Sequence, residues 1–283
     1  MYINLYIYPF IFICKKGLIV MALKKSNEPE LIDVGVTFKD QPISHSKALD
    51  EKAGKKNMCK KYTLLDDKFT TVRNMTLGDP SITPIKFECH KLFRIMALED
   101  FGDVKKGDIG GYVESEDNLS HMDDCWIYDN SKVFGNGKVF DKATIHNAAI
   151  VRDDVIIYDK ASINDYVMVY DNARIHGFAR IYDDAQIYGN ANIFDHSRIY
   201  NNSKISGNAI VHEYASIHDN SIVSGHADIF GLAKIQDNSS ILGNTIVCGE
   251  NVLRFNTELT GNSYISSSFK ELGIDPSQYN FKE

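Results

Sequence analysis

Proline is scarce in this sequence, with six residues among 283. Proline removes a ladder hydrogen bond from a sheet interior, so its scarcity fits a chain held largely in hydrogen-bonded strands. Positive charge is in deficit too: 31 Lys and Arg against 38 Asp and Glu, a formal net charge of -7. A general nucleic-acid binder needs a cationic footprint, so that class is not expected, although a local basic patch remains compatible with the balance. The five cysteines, Cys14, Cys59, Cys89, Cys125 and Cys248, are scattered and odd in number, and no Cys-x-x-Cys or comparable metal-ligand spacing occurs. That usage points to a reduced, cytoplasmic setting, and no metal or cofactor is expected.

A long apolar span is also lacking. Tyr2 to Cys14 is almost wholly apolar and rich in aromatics, but it stops at Lys15-Lys16. A spanning helix needs about 20 apolar residues. A secretory signal carries its charge before the apolar run, not after it. The stretch reads first as translated upstream sequence with the start at Met21 or Met58. An anchor continuing through Leu18 to Leu23, or a cleaved signal, are the alternatives. Residues 22–57 mix lysines and acids with Gly, Ser and Asn without a sustained period, as a linker does. Residues 1–57 are therefore expected outside the fold, and no membrane association is expected.

From Lys60 the texture changes. Lys61 to Leu65, Phe69 to Arg73, Lys86 to Cys89 and Leu92 to Leu98 read as short strands, and Lys105-Lys106-Gly107-Asp108 and Gly110-Gly111 as turns. Residues 58–112 are expected to form a small β-rich N-terminal cap.

Beyond the cap the chain repeats every six residues. Every sixth residue from Ile127 to Ile265 is aliphatic: 24 positions, 22 of them β-branched, without insertion or deletion. A helix needs a period of 3.6 and a plain strand a period of 2. Six suits an alternation interrupted by a turn at each corner. The residue two before each aliphatic is small, as at Ala143, Ala173 and Ala191; only Val155, Val167 and Asn251 exceed Thr in size. One small and one large inward side chain per hexad can fill a narrow solenoid at normal density. Two residues after nearly every aliphatic stands Asp, Asn or Gly, the types that tolerate left-handed backbone.

The corner residues count the sides. Taken every third hexad, one set runs Asp129, Asn147, Asp165, Asp183, Asn201, Asp219, Asp237, all Asp or Asn. The next set, from Gly135 to Gly261, has Gly at six of eight positions. A two-hexad coil would mix the sets, whereas a three-hexad, 18-residue coil keeps each on its own edge. The fold expected is all-β: a three-sided parallel β-helix of about eight coils over residues 113–266. Residues 267–283 form a tail or cap. At about 4.8 Å per coil the prism is roughly 40 Å long. Asn172, Asn190 and Asn208 recur at 18 and should stack as an amide ladder.

These hexads resemble the hexapeptide-repeat, left-handed β-helix superfamily over about 113–265. The resemblance is closer to uncharacterised bacterial and phage-borne hexapeptide-repeat proteins. It is carried by Leu92-Phe93-Arg94-Ile95-Met96-Ala97-Leu98 with Asp100 to Val104, by Gly107 to Ser115, by Asn118-Leu119-Ser120 and by Cys125-Trp126-Ile127-Tyr128-Asp129. It implies left-handedness and a bacterial, phage or prophage origin, and no established activity. The superfamily's best-known members are acyl-CoA-dependent acyltransferases, trimers with a catalytic His at the subunit seam. This sequence departs from them in having no ejected loop, an aromatic or His slot after the aliphatic, and a short polar tail. His176 and His212 are the candidates for a seam base. The superfamily's zinc-dependent activity shares three His across a seam. His146, His176, His196, His212, His218 and His226 are available, but His176 and His212 lie two coils apart, about 10 Å. No metal site is expected.

One face is distinguished by rings. Phe140, Tyr158, His176, Phe194, His212 and Phe230 recur at 18 residues with Ile156, Ile210 and Ile246 beside them, all outward. Such a stripe marks association or stacking along the sheet. The charged edge Asp129, Asp165, Asp183, Asp219 and Asp237 has Arg174, Arg180, Arg198, Lys204 and Lys234 close by, which argues against an acidic nucleic-acid mimic. The reading is a non-catalytic binding or scaffold rod that forms a homo-oligomer, a trimer by resemblance, through Phe140, Tyr158, His176, Phe194, Ile210, His212 and Phe230. It would bind a protein or small ligand. An acyltransferase with a seam histidine is the alternative.

Overall fold

The computed structural model describes residues 11–14, 17–20, 60–76 and 86–266. The chain divides into two units, Met1–Met58 and Cys59–Glu283. In the first, β1 (Ile11–Cys14) pairs antiparallel with β2 (Gly17–Val20). The linker expected at 22–57 and the tail at 267–283 lie outside the described residues. Among the described residues, no helix is long and apolar enough to cross a membrane.

The second unit is a three-sided, left-handed parallel β-helix. After β3 (Tyr62–Thr76), β4 (Lys86–Ala97) and β5 (Ile109–Val113), 24 short strands run from Trp126–Ile127 to Tyr264–Ser266. All but the last three pair in parallel with the strand 18 residues on: Val151 with Val169, Ile157 with Ile175, Ile163 with Ile181. The aliphatic column and the small residue two before it point inward and are buried, as Ala173, Ile175, Ala191 and Ile193 show at 0% exposure. Each buried Ile or Val contributes about 1.5–3 kcal/mol, and β-branching suits a fixed rotamer in a strand. In the small slot the hydroxyls of Ser197, Ser203 and Ser221 donate to the carbonyls of Phe194, Tyr200 and His218 at 2.7–2.8 Å, whereas those of Ser131 and Ser239 are buried without a partner.

Corners explain the Asp and Gly columns. Asp129, Asn147, Asp165, Asp183, Asn201, Asp219 and Asp237 all have φ between 53° and 63°. The αL region costs most residues about 1–2 kcal/mol, and Asp and Asn least. The corner aspartate also works between coils. Its Oδ2 accepts the corner N–H of the next coil, as Asp183 does from Asn201 at 3.1 Å and Asp219 from Asp237 at 3.1 Å. On the neighbouring edge, Gly207 has φ +67°, and a Cβ there would lie 2.8 Å from the N and O of Gly225. Beyond the corners, the expected amide ladder forms in part: Asn190 donates to Asn208 at 2.9 Å and His226 continues it at 3.1 Å from Asn208, but no hydrogen bond joins the side-chain amides of Asn172 and Asn190. A second ladder, Asn202–Asn220–Asn238–Asn256, was not foreseen.

The cap departs from expectation in two respects. The four short strands are two long ones: β3 absorbs Tyr62 to Leu65 and Phe69 to Arg73 across a register shift between Leu65 and Phe69. β4 absorbs the other two. β4 pairs antiparallel with β3 and with β5, and β5 pairs in parallel with Lys132–Val133. The hairpin therefore continues one face of the prism and covers its open parallel edge. Phe134 stands in the slot after the aliphatic that faces outward further along the prism, yet it is 1% exposed, its ring 4.9 Å from that of His90 on β4.

The repeat also starts one coil earlier, in a different frame. Val113 pairs with Val133 and Leu119 with Val139, a spacing of 20, so two extra residues sit between Leu119 and Ile127. Lys61, 1% exposed, holds that irregular stretch. Its Nζ donates to the carbonyls of Asp123 and Cys125 at 3.0 and 2.9 Å and lies 4.7 Å from the Phe101 ring. Tyr62 Oη donates to the Leu119 carbonyl at 2.8 Å, and Asn118 Nδ2 to the carbonyls of Gly135 and Gly137 at 3.0 and 2.9 Å. Gly110 and Gly111 are obligatory because a Cβ on either would lie 2.6 Å or less from Trp126 or Ile127 atoms.

Asp219 yields a test. The N–H of Asp237 is the main cause holding its carboxyl below the usual carboxylate value. A depressed folded value means that the stabilisation is present above the unfolded value and is lost as pH falls through the folded one. Urea unfolding should show Asp219→Ala destabilised by about 1–3 kcal/mol at pH 7, from αL strain and an orphaned N–H. Asp219→Asn, which keeps an acceptor and tolerates αL, should lose less and show a shallower acid limb.

Candidate functional site

Parallel stacking at 18 residues puts every outward column in ladder form. On the ringed face, Tyr158, His176, Phe194, His212 and Phe230 stack with centroids 4.6–5.0 Å apart and planes within 17°. Phe140 occupies the same column one coil before Tyr158, and Ile210 stands in the outward slot on the other side of Val211. All are half-buried, so ring edges rather than ring faces meet solvent.

The two candidate bases differ. His176 has Tyr158 and Phe194 on its two faces, and its Nδ1 lies 3.7 Å from Asp159 Oδ2. Burial dominates and lowers its pKa, with Asp159 opposing. His212 Nε2 lies 3.2 Å from Asp228 Oδ1, a partner that fixes the ring. The two imidazoles do not converge, because Phe194 stands between them at 4.9 and 5.0 Å.

The other histidines are dispersed. His146 stacks on Tyr128 and His218 on Tyr200 on a second face, His196 stacks between Phe178 and Tyr214 at a corner, and His226 ends an amide ladder on another edge. Among the described residues, no three His, Cys, Asp or Glu are placed to share a metal ion.

The second face carries a groove that the sequence pattern did not disclose. It runs along the prism over the outward column Arg180, Arg198, Ser216 and Lys234, with a volume of about 590 Å³. One wall is the corner column Phe178, His196 and Tyr214, stacked at 4.8 and 4.9 Å and projecting into solvent, with Tyr214 60% exposed. The other wall is Tyr200 and His218, stacked at 4.6 Å. Lys160 stands at one end, 5.1 Å from the Phe178 ring. A signal was present, since Lys160, Phe178, His196, Tyr214 and Leu232 recur at 18, but the slot they occupy reads as turn. The cations that look like mixed charge in the sequence are segregated: Arg180, Arg198 and Lys234 share the groove, whereas Arg174 lies on the ringed face and Lys204 on the third.

These features define a β-solenoid of stacked parallel coils. No protein-family model matches the chain. It is 34% identical over 65 residues to a protein of Escherichia coli (strain K12) named uncharacterized acetyltransferase YdcK. That match covers 23% of this chain and 20% of that protein, so the chain spans about one fifth of the relative's length. Sixty-five residues are fewer than four coils of 18.

Burial of the ring columns has a consequence in acid. His146 and His176 both have pKa values lowered mainly by burial. Their folded values lie below the unfolded one, so the unfolded chain takes up protons first and stability declines as pH falls from about 6.5. His146→Phe and His176→Phe, which keep the stack, should flatten the fall in thermal midpoint between about pH 6.5 and 5. An unchanged slope would refute the cause.

Proposed function

We propose that the chain is a non-catalytic binding or scaffold protein of bacterial or phage origin. It is a rigid rod that self-associates as a trimer through its ringed face, and it acts in the cytoplasm. The ladder from Phe140 to Phe230, flanked by Ile156, Ile210 and Ile246, carries this reading. A straight column of half-buried ring edges offers a second copy a continuous surface. Its imidazoles are stacked and separated rather than converged for proton transfer. The same patch used three times around an axis closes without leaving an open end. Cys89, Cys125 and Cys248 are unpaired, in keeping with a reducing compartment.

Native mass spectrometry of the full chain tests it. A trimer is expected, and Phe194→Glu combined with Ile210→Glu should give monomers with an unchanged far-UV spectrum. A monomeric wild type at micromolar concentration would contradict the reading.

A second reading has one observation of its own. His212 with Asp228 at 3.2 Å is the arrangement that orients a general base. Together with the similarity to YdcK, it supports an acyl-CoA-dependent acyltransferase with His212 at a seam. Acetyl-CoA should then raise the thermal midpoint, and His212→Ala should abolish transfer. No shift at millimolar acetyl-CoA counts against it.

A further inference from the structure

The groove on the second face has a charge opposite to that of the molecule around it. The chain has a net charge of -7, yet the residues lining this groove include four Lys or Arg and no Asp or Glu. Arg180 and Arg198 stand directly opposite each other in register on adjacent coils. Like charges in that relation repel. Among the described residues, no carboxylate lies within ion-pair distance of Arg180, Arg198 or Lys234. Asp183 and Asp219 on the corner beyond keep their charge, but neither comes within ion-pair distance of these three cations; Asp219 lies 3.0 Å from His218 Nδ1 instead. Two exposed arginines on strands about 4.8 Å apart, neither paired with a carboxylate, are poised for an anionic ligand.

The walls narrow the class. Their rings stack on one another, so the groove meets ring edges and has no free faces on which nucleobases could stack. Edges carry the positive end of the ring quadrupole, which suits an anion. The cations only donate, but Ser216, Gln236, Tyr200 and His218 between and beside them can also accept. A ligand with only acceptor oxygens leaves those acceptors idle, whereas one that carries hydroxyls as well as anionic groups uses both kinds. The groove runs along the stacking direction from the coil of Lys160 to that of Leu232, four coil steps or about 19 Å. It fits a short linear chain.

We propose that this groove binds an acidic oligosaccharide lengthwise, its carboxylates or sulfates on Arg180, Arg198 and Lys234 and its hydroxyls on the neutral groups between. The proposal does not rest on self-association, which uses a different face.

Isothermal titration of the full chain with galacturonic acid hexamer and with a heparin hexasaccharide tests it. Maltohexaose, inorganic polyphosphate and a dT12 oligonucleotide serve as comparison ligands. At least one acidic hexamer should bind, more weakly as salt is raised from about 0.1 to 1 M. Maltohexaose should not bind. Arg180→Ala and Arg198→Ala, both exposed and expected to fold, should each weaken binding about tenfold. Lys204→Ala, on another face, should leave it unchanged. Failure of both acidic hexamers, tighter binding of polyphosphate or dT12, or indifference to the arginine changes would overturn the proposal. The oligomer mass is read separately, so either conclusion can fail alone.

Discussion

The interior of the prism admits one small and one aliphatic side chain per hexad, and the rest of the molecule is built around that constraint. The core is close-packed, so a larger residue in the Ala column or a shift of one residue in frame has nowhere to go. Strands of two residues would not persist alone. They persist because each inward Ile or Val is stacked on aliphatic neighbours while the flanking N–H groups bond to carbonyls one coil on, as Lys132 does to Ala149 at 2.9 Å. The corners must then turn within two residues, which forces φ positive and selects Asp, Asn or Gly. Aspartate is the more productive choice, since its carboxylate also bonds the next coil.

A core fixed in this way leaves variation only to outward columns, and each column becomes a ladder at the sheet spacing. Stacked rings, amide chains and arginine rows are the same device filled with different side chains. Catalysis needs unlike groups converging on one atom, whereas a column repeats like groups side by side. Repetition suits extended contacts: a ring ladder against another copy of the chain, a cationic groove along a linear anion. On the ringed face two His–Asp contacts join neighbouring columns, His212 with Asp228 at 3.2 Å and, more loosely, His176 with Asp159 at 3.7 Å.

The sequence made much of this legible, for a physical reason. Inward positions are under the packing constraint, so Ile127 to Ile265 and the small residues before them declare the period, and the Asp and Gly corners declare the number of sides. The cap was harder. Its long hairpin has no period to count, and the frame shift between Leu119 and Ile127 is bridged by a buried Lys61 bonded to backbone carbonyls, an arrangement that no spacing rule announces. The motif residues Gly110, Gly111, Asn118 and Trp126 prove to be packing residues of this junction. The ring column at His176 and His212 was visible because its residue types are alike. The groove was not, because its wall of Lys160, Phe178, His196, Tyr214 and Leu232 mixes types and occupies a slot that turn chemistry already explains.

If the inward pair and the 18-residue coil govern the fold, then coils are interchangeable units and frame is not negotiable. Excising residues 235–252, one whole coil, rejoins Lys234 to Leu253 with every column in register. That variant should keep a cooperative thermal transition and wild-type hydrogen-exchange protection in the remaining coils. Deleting Asn238 alone turns the inward residues beyond it outward and should abolish protection in every later coil. Comparable protection in the two variants, or loss of the transition on removing the whole coil, would contradict the primacy of the inward pair.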